Sequence, residues 1–101
     1  MKQTTKSTNG ASFHGHTISL SKNELQTLCA CEPASWDDPN DKVQYEWVME
    51  TSSGDVFTIY DWKAYRFFKD DETIEWHIGA ENHEIAEDAL DEITQTIGKL
   101  N

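Results

Sequence analysis

Residues 43–62 read VQYEWVMETSSGDVFTIYDW, and their alternation decides the fold class. Val43, Tyr45, Trp47 and Met49 fall on one side of an extended chain, and Gln44, Glu46 and Glu50 fall on the other, with Val48 the exception. Thr51 to Asp55 contains Gly54, the residue type that a left-handed turn position favours, so the two halves predict a hairpin. Val56 to Trp62 is apolar or aromatic at both parities (Val56, Tyr60 and Trp62; Phe57 and Ile59). A strand of that kind is covered on both faces, so it is expected at the centre of the sheet.

Working towards the C-terminus, Ala64 to Lys69 is an aromatic, basic connector, and Asp70-Asp71-Glu72 is an acidic turn. Thr73 to Ile78 predicts another strand, with Ile74, Trp76 and Ile78 inward, Glu75 and His77 outward, and Gly79 ending it. Asn82 is placed to cap a helix. In that helix Ile85, Ala86, Ala89, Leu90, Ile93 and Ile97 form one stripe, and Glu84, Glu87, Asp88, Asp91 and Glu92 occupy the other side. Gly98 is the expected C-cap, with Lys99 beside it to complement the helix dipole.

Working towards the N-terminus, Phe13 to Leu20 (FHGHTISL) predicts an edge strand weakened by Gly15. Ser21-Lys22-Asn23-Glu24 fits a capping box, and Leu20 and Leu25 are spaced as a hydrophobic staple. A helix over about residues 22–30 follows, stopped before Pro33. Residues 33–42 carry two prolines, three Asp and an Asn, which spells a loop; Trp36 within it is expected to fold back as a lid on the core, or else to stand out as a partner anchor. Residues 1–11 are polar and are expected to be a flexible lead, leaving 12–101 as one domain. The order β-α-β-β-β-α predicts an α+β fold: an antiparallel meander of three to four strands with one short and one long helix packed on it. Periodicity leaves open which face of the central strand the long helix covers.

The chain has 101 residues, enough for one domain. Only 37% of them are hydrophobic, yet four are Trp, so large rings must fill much of the core. No apolar run approaches the roughly 20 residues of a membrane-spanning helix. No secretory leader is legible either, so a cytoplasmic protein is expected, with Cys29 and Cys31 as free thiols. Net charge is −11, which excludes a basic phosphate-backbone binder. The charge is uneven: residues 1–35 hold Lys2, Lys6 and Lys22 against Glu24 and Glu32, a net of +1, and residues 36–101 carry a net of −12.

His14 and His16, followed by Cys29 and Cys31, are the nearest thing to a metal-ligand pattern. The thiols at i and i+2 on a helix diverge, however, and the spacing misses the usual zinc motif, so no metal is expected. Glu75 with His77, and Asp61 with Lys63 and Arg66, read as surface polar contacts. No nucleophile elbow, P-loop or dinucleotide fingerprint is present; no catalytic residue and no cofactor are assigned, and the chain reads as a non-enzyme. The acidic helix face is more informative. Glu84, Glu87, Asp88, Asp91 and Glu92, supported by Asp70 and Asp71 and by the acids of residues 37–41, imitate a phosphate track and are expected to occupy a basic site on a protein partner. The alternative is a small-molecule or nucleotide site built from Tyr60, Trp62, Lys63, Tyr65 and Arg66.

The stretch TIYDWKAYR at 58–66, followed by IEWHIGA at 74–80, resembles a pattern in small uncharacterised acidic proteins of tailed bacteriophages. The resemblance covers roughly the middle 40 residues. It implies a phage or prophage origin, acting in a host cytoplasm by binding a host protein, such as a nuclease of a defence system; the DNA-mimic reading rests on the acidic helix face instead. The resemblance carries no functional residues over.

Overall fold

A computed structural model describes residues 1–8, 10–35, 43–62 and 69–100. The elements in chain order are β1 (Lys2–Gln3), β2 (Ser12–Ser21), α1 (Lys22–Cys29), β3 (Ala34–Ser35), β4 (Tyr45–Glu50), β5 (Val56–Tyr60), β6 (Thr73–Ala80) and α2 (His83–Leu100). The fold is α+β. The antiparallel sheet runs β1-β4-β5-β6-β2, with β3 also pairing β4, so β5 is central and β2 is an edge strand, as their sequences predict. No described helix is long and apolar enough to cross a membrane.

Register explains how the core is built. Trp47 stands opposite Ile59 and Ile59 opposite Ile78; Met49 stands opposite Phe57 and Phe57 opposite Ala80. Cross-strand partners share a face, so these side chains form one apolar surface. Both helices cover it. Leu25, Leu28 and Cys29 of α1, and Ala86, Ala89 and Ile93 of α2, are buried in the same cluster. The question that periodicity left open is thus settled: the long helix lies over the face of Trp47.

The short helix is fastened at both ends by indoles. Ser21 Oγ accepts from the Glu24 amide at 3.1 Å while Glu24 Oε1 accepts from the Ser21 amide at 3.0 Å, completing the capping box. Trp76 Nε1 donates to the Leu20 carbonyl just before this cap (2.9 Å), and Trp47 Nε1 donates to the Cys31 carbonyl just after Ala30 closes the helix (3.0 Å). The two rings meet edge to face at 5.4 Å. Each Trp therefore gives the core its apolar area and satisfies its one donor on a backbone carbonyl that flanks α1.

Several expectations are corrected. Lys2–Gln3 forms a strand, because Lys2 and Lys6 converge on Glu50 (3.2 and 2.9 Å) and the Met1 amino group reaches Glu92 (3.1 Å). Ala34–Ser35 is a strand inside the stretch read as loop. Trp36 and the acids of 37–41 lie outside the described residues, as do Lys63, Tyr65 and Arg66. Gln44, read as outward, is buried: the Asp61 carboxylate accepts from the amides of Gln44 (2.9 Å) and Tyr45 (2.8 Å) and draws the start of β4 inward. Asp61 is itself buried and not a surface group; burial pushes its carboxyl up, against the pull of those amides. Glu50, also read as outward, is shut in under the N-terminal lysines.

The expected stops at Gly79 and Gly98 both fail, since β6 runs to Ala80 and α2 to Leu100. Gly98 has open space around its α-carbon and an ordinary helical backbone, so it costs the helix only propensity. At Gly79 the reason is contact. A β-carbon there would sit 2.5 Å from Thr58 Oγ1 and 3.2 Å from Tyr60 Cε1, so neighbouring side chains use the room that glycine leaves.

Candidate functional site

The residues opposite the core positions define the second face of the sheet. Glu46 pairs with Tyr60, Tyr60 with His77 and His77 with Thr17; Val48 pairs with Thr58, Thr58 with Gly79 and Gly79 with Phe13. No described helix covers this face. Between Phe13 and Thr17, β2 bulges against β6, with Gly15 at φ +90°. Four residues of β2 advance against two of β6, and an even excess leaves Phe13 and Thr17 facing the same way.

That geometry gathers four rings. Phe13 stacks on His77 at 4.1 Å with planes 19° apart. Tyr60 meets His77 at 5.6 Å and Trp62 at 6.2 Å, both edge to face, and Trp62 lies over His77 at 6.2 Å and 25°. Phe13 stands opposite Gly79, which has no side chain, so its ring is free to lie across the strand onto His77. Phe13 is 44% exposed and Trp62 42%, and they are the large hydrophobics left exposed among the described residues. Burial pushes the His77 imidazole down, against the pull of Glu75.

Beside the rings a depression of about 180 Å³ is lined by Thr8, Glu46, Thr58, Tyr60, Trp62 and Gly79. Burial raises the Glu46 carboxyl, and burial with the Glu46 charge raises the Tyr60 phenol. A larger hollow of about 450 Å³ lies between Met1, Lys2 and the 50–54 hairpin, but its carboxylate is already held by two lysines.

The acids chosen from the sequence are scattered in their roles. Glu84, Glu87, Asp88 and Asp91 are exposed on α2, although Glu87 Oε1 is taken by His83 Nε2 at 2.8 Å. Glu92 is a structural residue: it accepts from the Ser52 amide (3.0 and 3.1 Å) and hydroxyl (3.2 Å) as well as holding the Met1 amino group. Those partners hold its carboxyl below the usual range despite the opposing effect of burial. Asp70 pairs with Lys22 at 3.3 Å and accepts the Asn23 amide on its carbonyl. It and Asp71 precede β6 while α2 follows it, so eight extended residues, about 25 Å, separate them from Glu84. The structure does not unite the acids into one track.

The alternative set fares differently. Tyr60 and Trp62 do come together, while Lys63, Tyr65 and Arg66 lie outside the described residues. Sequence reasoning missed Phe13 and His77 as members. His77 carries a legible signal, an outward position on an inward-outward strand. Phe13 has none before the register and the bulge are known. Of the His/Cys pattern, which is not expected to hold a metal, His14 Nε2 contacts the Ala80 carbonyl at 3.0 Å, and Cys29 is buried in the core with its thiol pushed up to about 12, chiefly by burial.

Comparison with protein-family models, curated proteins and solved structures gave no match.

Proposed function

We propose that this chain is a non-enzymatic binding module that docks a basic protein partner through the aromatic face of its sheet. The observation that supports this is the cluster of Phe13, Tyr60, Trp62 and His77 on a face that no described helix covers. Exposed aromatic rings held rigid by a sheet are typical anchors of protein interfaces, because they bury much area at little entropic cost. The net charge of −11 selects the partner and steers its approach; it need not supply the anchor. A host protein that handles nucleic acid, such as a defence nuclease, is the partner class that the charge and the phage resemblance favour together.

A second reading, a nucleotide site at the same rings, draws on the Tyr60–Trp62 pair. It is weaker on two counts. The depression of about 180 Å³ is below the roughly 300–1,000 Å³ of ordinary ligand sites, and the Glu46 carboxyl in its wall opposes a phosphate.

Affinity capture from bacterial lysate at low salt distinguishes the surfaces. A specific partner held by the native chain is expected to be lost with Phe13→Ala/Trp62→Ala, a change of 2 kcal/mol or more if these are hot spots, where about 2 marks the threshold. Glu84→Gln/Glu87→Gln/Asp88→Gln/Asp91→Gln is expected to slow association while retaining the complex. Retention by the aromatic variant and loss by the acidic one would reverse the assignment. A thermal shift with nucleotides alone would favour the second reading.

A further inference from the structure

His16 of β2, His83 in the first turn of α2 and Glu87 one turn later come together under the bulged part of the edge strand. One ligand atom from each lies within 4.8 Å of the other two. The rings of His16 and His83 are 4.9 Å apart and tilted by 32°, and His83 Nε2 is 2.8 Å from Glu87 Oε1. We propose that these three residues form a binding site for a divalent transition-metal ion of the zinc class. The site is separate from the aromatic face and does not depend on the function assigned to it.

Three observations carry the proposal. The first is the donor set. Two imidazoles and one carboxylate suit zinc and its neighbours, whereas calcium and magnesium take oxygen donors alone. The second is geometry. Donor atoms around a tetrahedral zinc at about 2.0–2.1 Å stand roughly 3.3–3.4 Å apart, so closing from 4.8 Å needs only small side-chain rotations. Spacing by four on α2 puts His83 and Glu87 on one side of the helix, and both are exposed, so an ion reaches them directly from solvent.

The third observation concerns His16. Its Nε2 is shut off from solvent and has no hydrogen-bond partner among the described residues. A buried ring nitrogen left in that state is costly, and an ion at the cluster gives the imidazole a role that the protein groups around it do not. An i,i+4 pair between His83 and Glu87 accounts for those two residues but not for the third ring. A cation near the first turn of α2 opposes the helix dipole, and the exposed acids close by in sequence, Glu81, Glu84 and Asp88, act against that effect. Three protein ligands leave at least one coordination position for water or for a group from a partner.

The test uses the full chain with zinc chloride in calorimetry and cobalt(II) in visible spectroscopy. One ion per chain is expected, with the d–d absorption of a low-symmetry cobalt site. At zinc concentrations about a hundredfold above Kd, Tm should rise by roughly 10 °C. His83→Gln and Glu87→Gln alter exposed side chains and leave the core intact. Each is expected to weaken binding by about a hundredfold or more, since even outer-shell partners of a metal site contribute 10–100-fold. Glu84→Gln should change affinity by no more than about twofold. Zinc affinity unchanged in His83→Gln would overturn the proposal, as would an absence of stoichiometric binding to the native chain. Binding that survives His83→Gln but is lost in Cys31→Ser would assign the ion to the thiols instead.

Discussion

Trp47 and Trp76 lie beneath the helices, meet edge to face and have each indole N–H bound to a carbonyl that flanks α1. Across the sheet, Phe13, Tyr60, Trp62 and His77 make a cluster of similar ring chemistry over which no described helix packs. The difference lies in what the rings are tied to. On the covered side they hold a helix against the sheet at both ends, so they contribute to stability. On the open side they pack on one another, and Phe13 and Trp62 each leave more than two fifths of their surface in water. Two aromatic surfaces thus stand back to back in a single layer of strands, and under the function proposed above one serves folding and the other recognition.

The sharpest way to break that comparison is Trp76→Ala, which should cost about 3–5 kcal/mol in denaturant unfolding by opening a cavity and stranding the Leu20 carbonyl. Trp62→Ala should stay within about 0.5 kcal/mol of the native chain. Equal losses at the two positions would mean that the faces do not differ in the way described.

Gly79→Ala comes next in size. The added methyl meets Thr58 Oγ1 at 2.5 Å, so a loss of about 1–3 kcal/mol is expected from overpacking. Combining it with Thr58→Ala, which removes the obstructing oxygen, should recover part of that loss; no recovery would show that the glycine matters through its backbone and not through the contact.

The smallest effect is at the edge where the open face meets the N-terminal segment. Lys6 and Lys2 lower the Glu50 carboxyl to about 2, below the roughly 4.3 of an unfolded chain. As pH falls the unfolded chain takes up this proton first, so the contribution of Glu50 is full above about pH 4.3 and fades towards pH 2. Glu50→Gln should therefore have a lower denaturant midpoint than the native chain at pH 6, with the gap closing at pH 2. A gap independent of pH would remove the ion pairs from the explanation.

The α+β class, the hairpin at Gly54, the capping box and the stripe of α2 were legible because each rests on neighbours within a few residues. What escaped depended on partners distant in the chain. Lys2–Gln3 has no strand signal of its own and becomes a strand because Glu50 and Glu92 hold its neighbours. Asp61 looked like a surface charge until the amides of Gln44 and Tyr45 closed on it. Of the candidate site, the Tyr60–Trp62 pair was visible in one strand and its continuation. Phe13 and His77 joined it only through the pairing of β2 with β6. The same is true of His16, whose neighbours His83 and Glu87 come from the far end of the sequence.

That β2–β6 pairing also bears on how the chain is made. Strand β2 ends at Ser21 and its partner begins at Thr73, so about 50 residues must be synthesised before the first can find the second. At translation rates of about 5–20 residues per second the delay is roughly 3–10 s. Throughout it, β2 offers an unpaired edge with Ile18 and Leu20 uncovered, and the loop closure that ends the wait is long-range and slow. The nascent chain therefore passes through a window in which holding chaperones compete with misassembly. α2, which closes the core over the completed sheet, emerges only after β6.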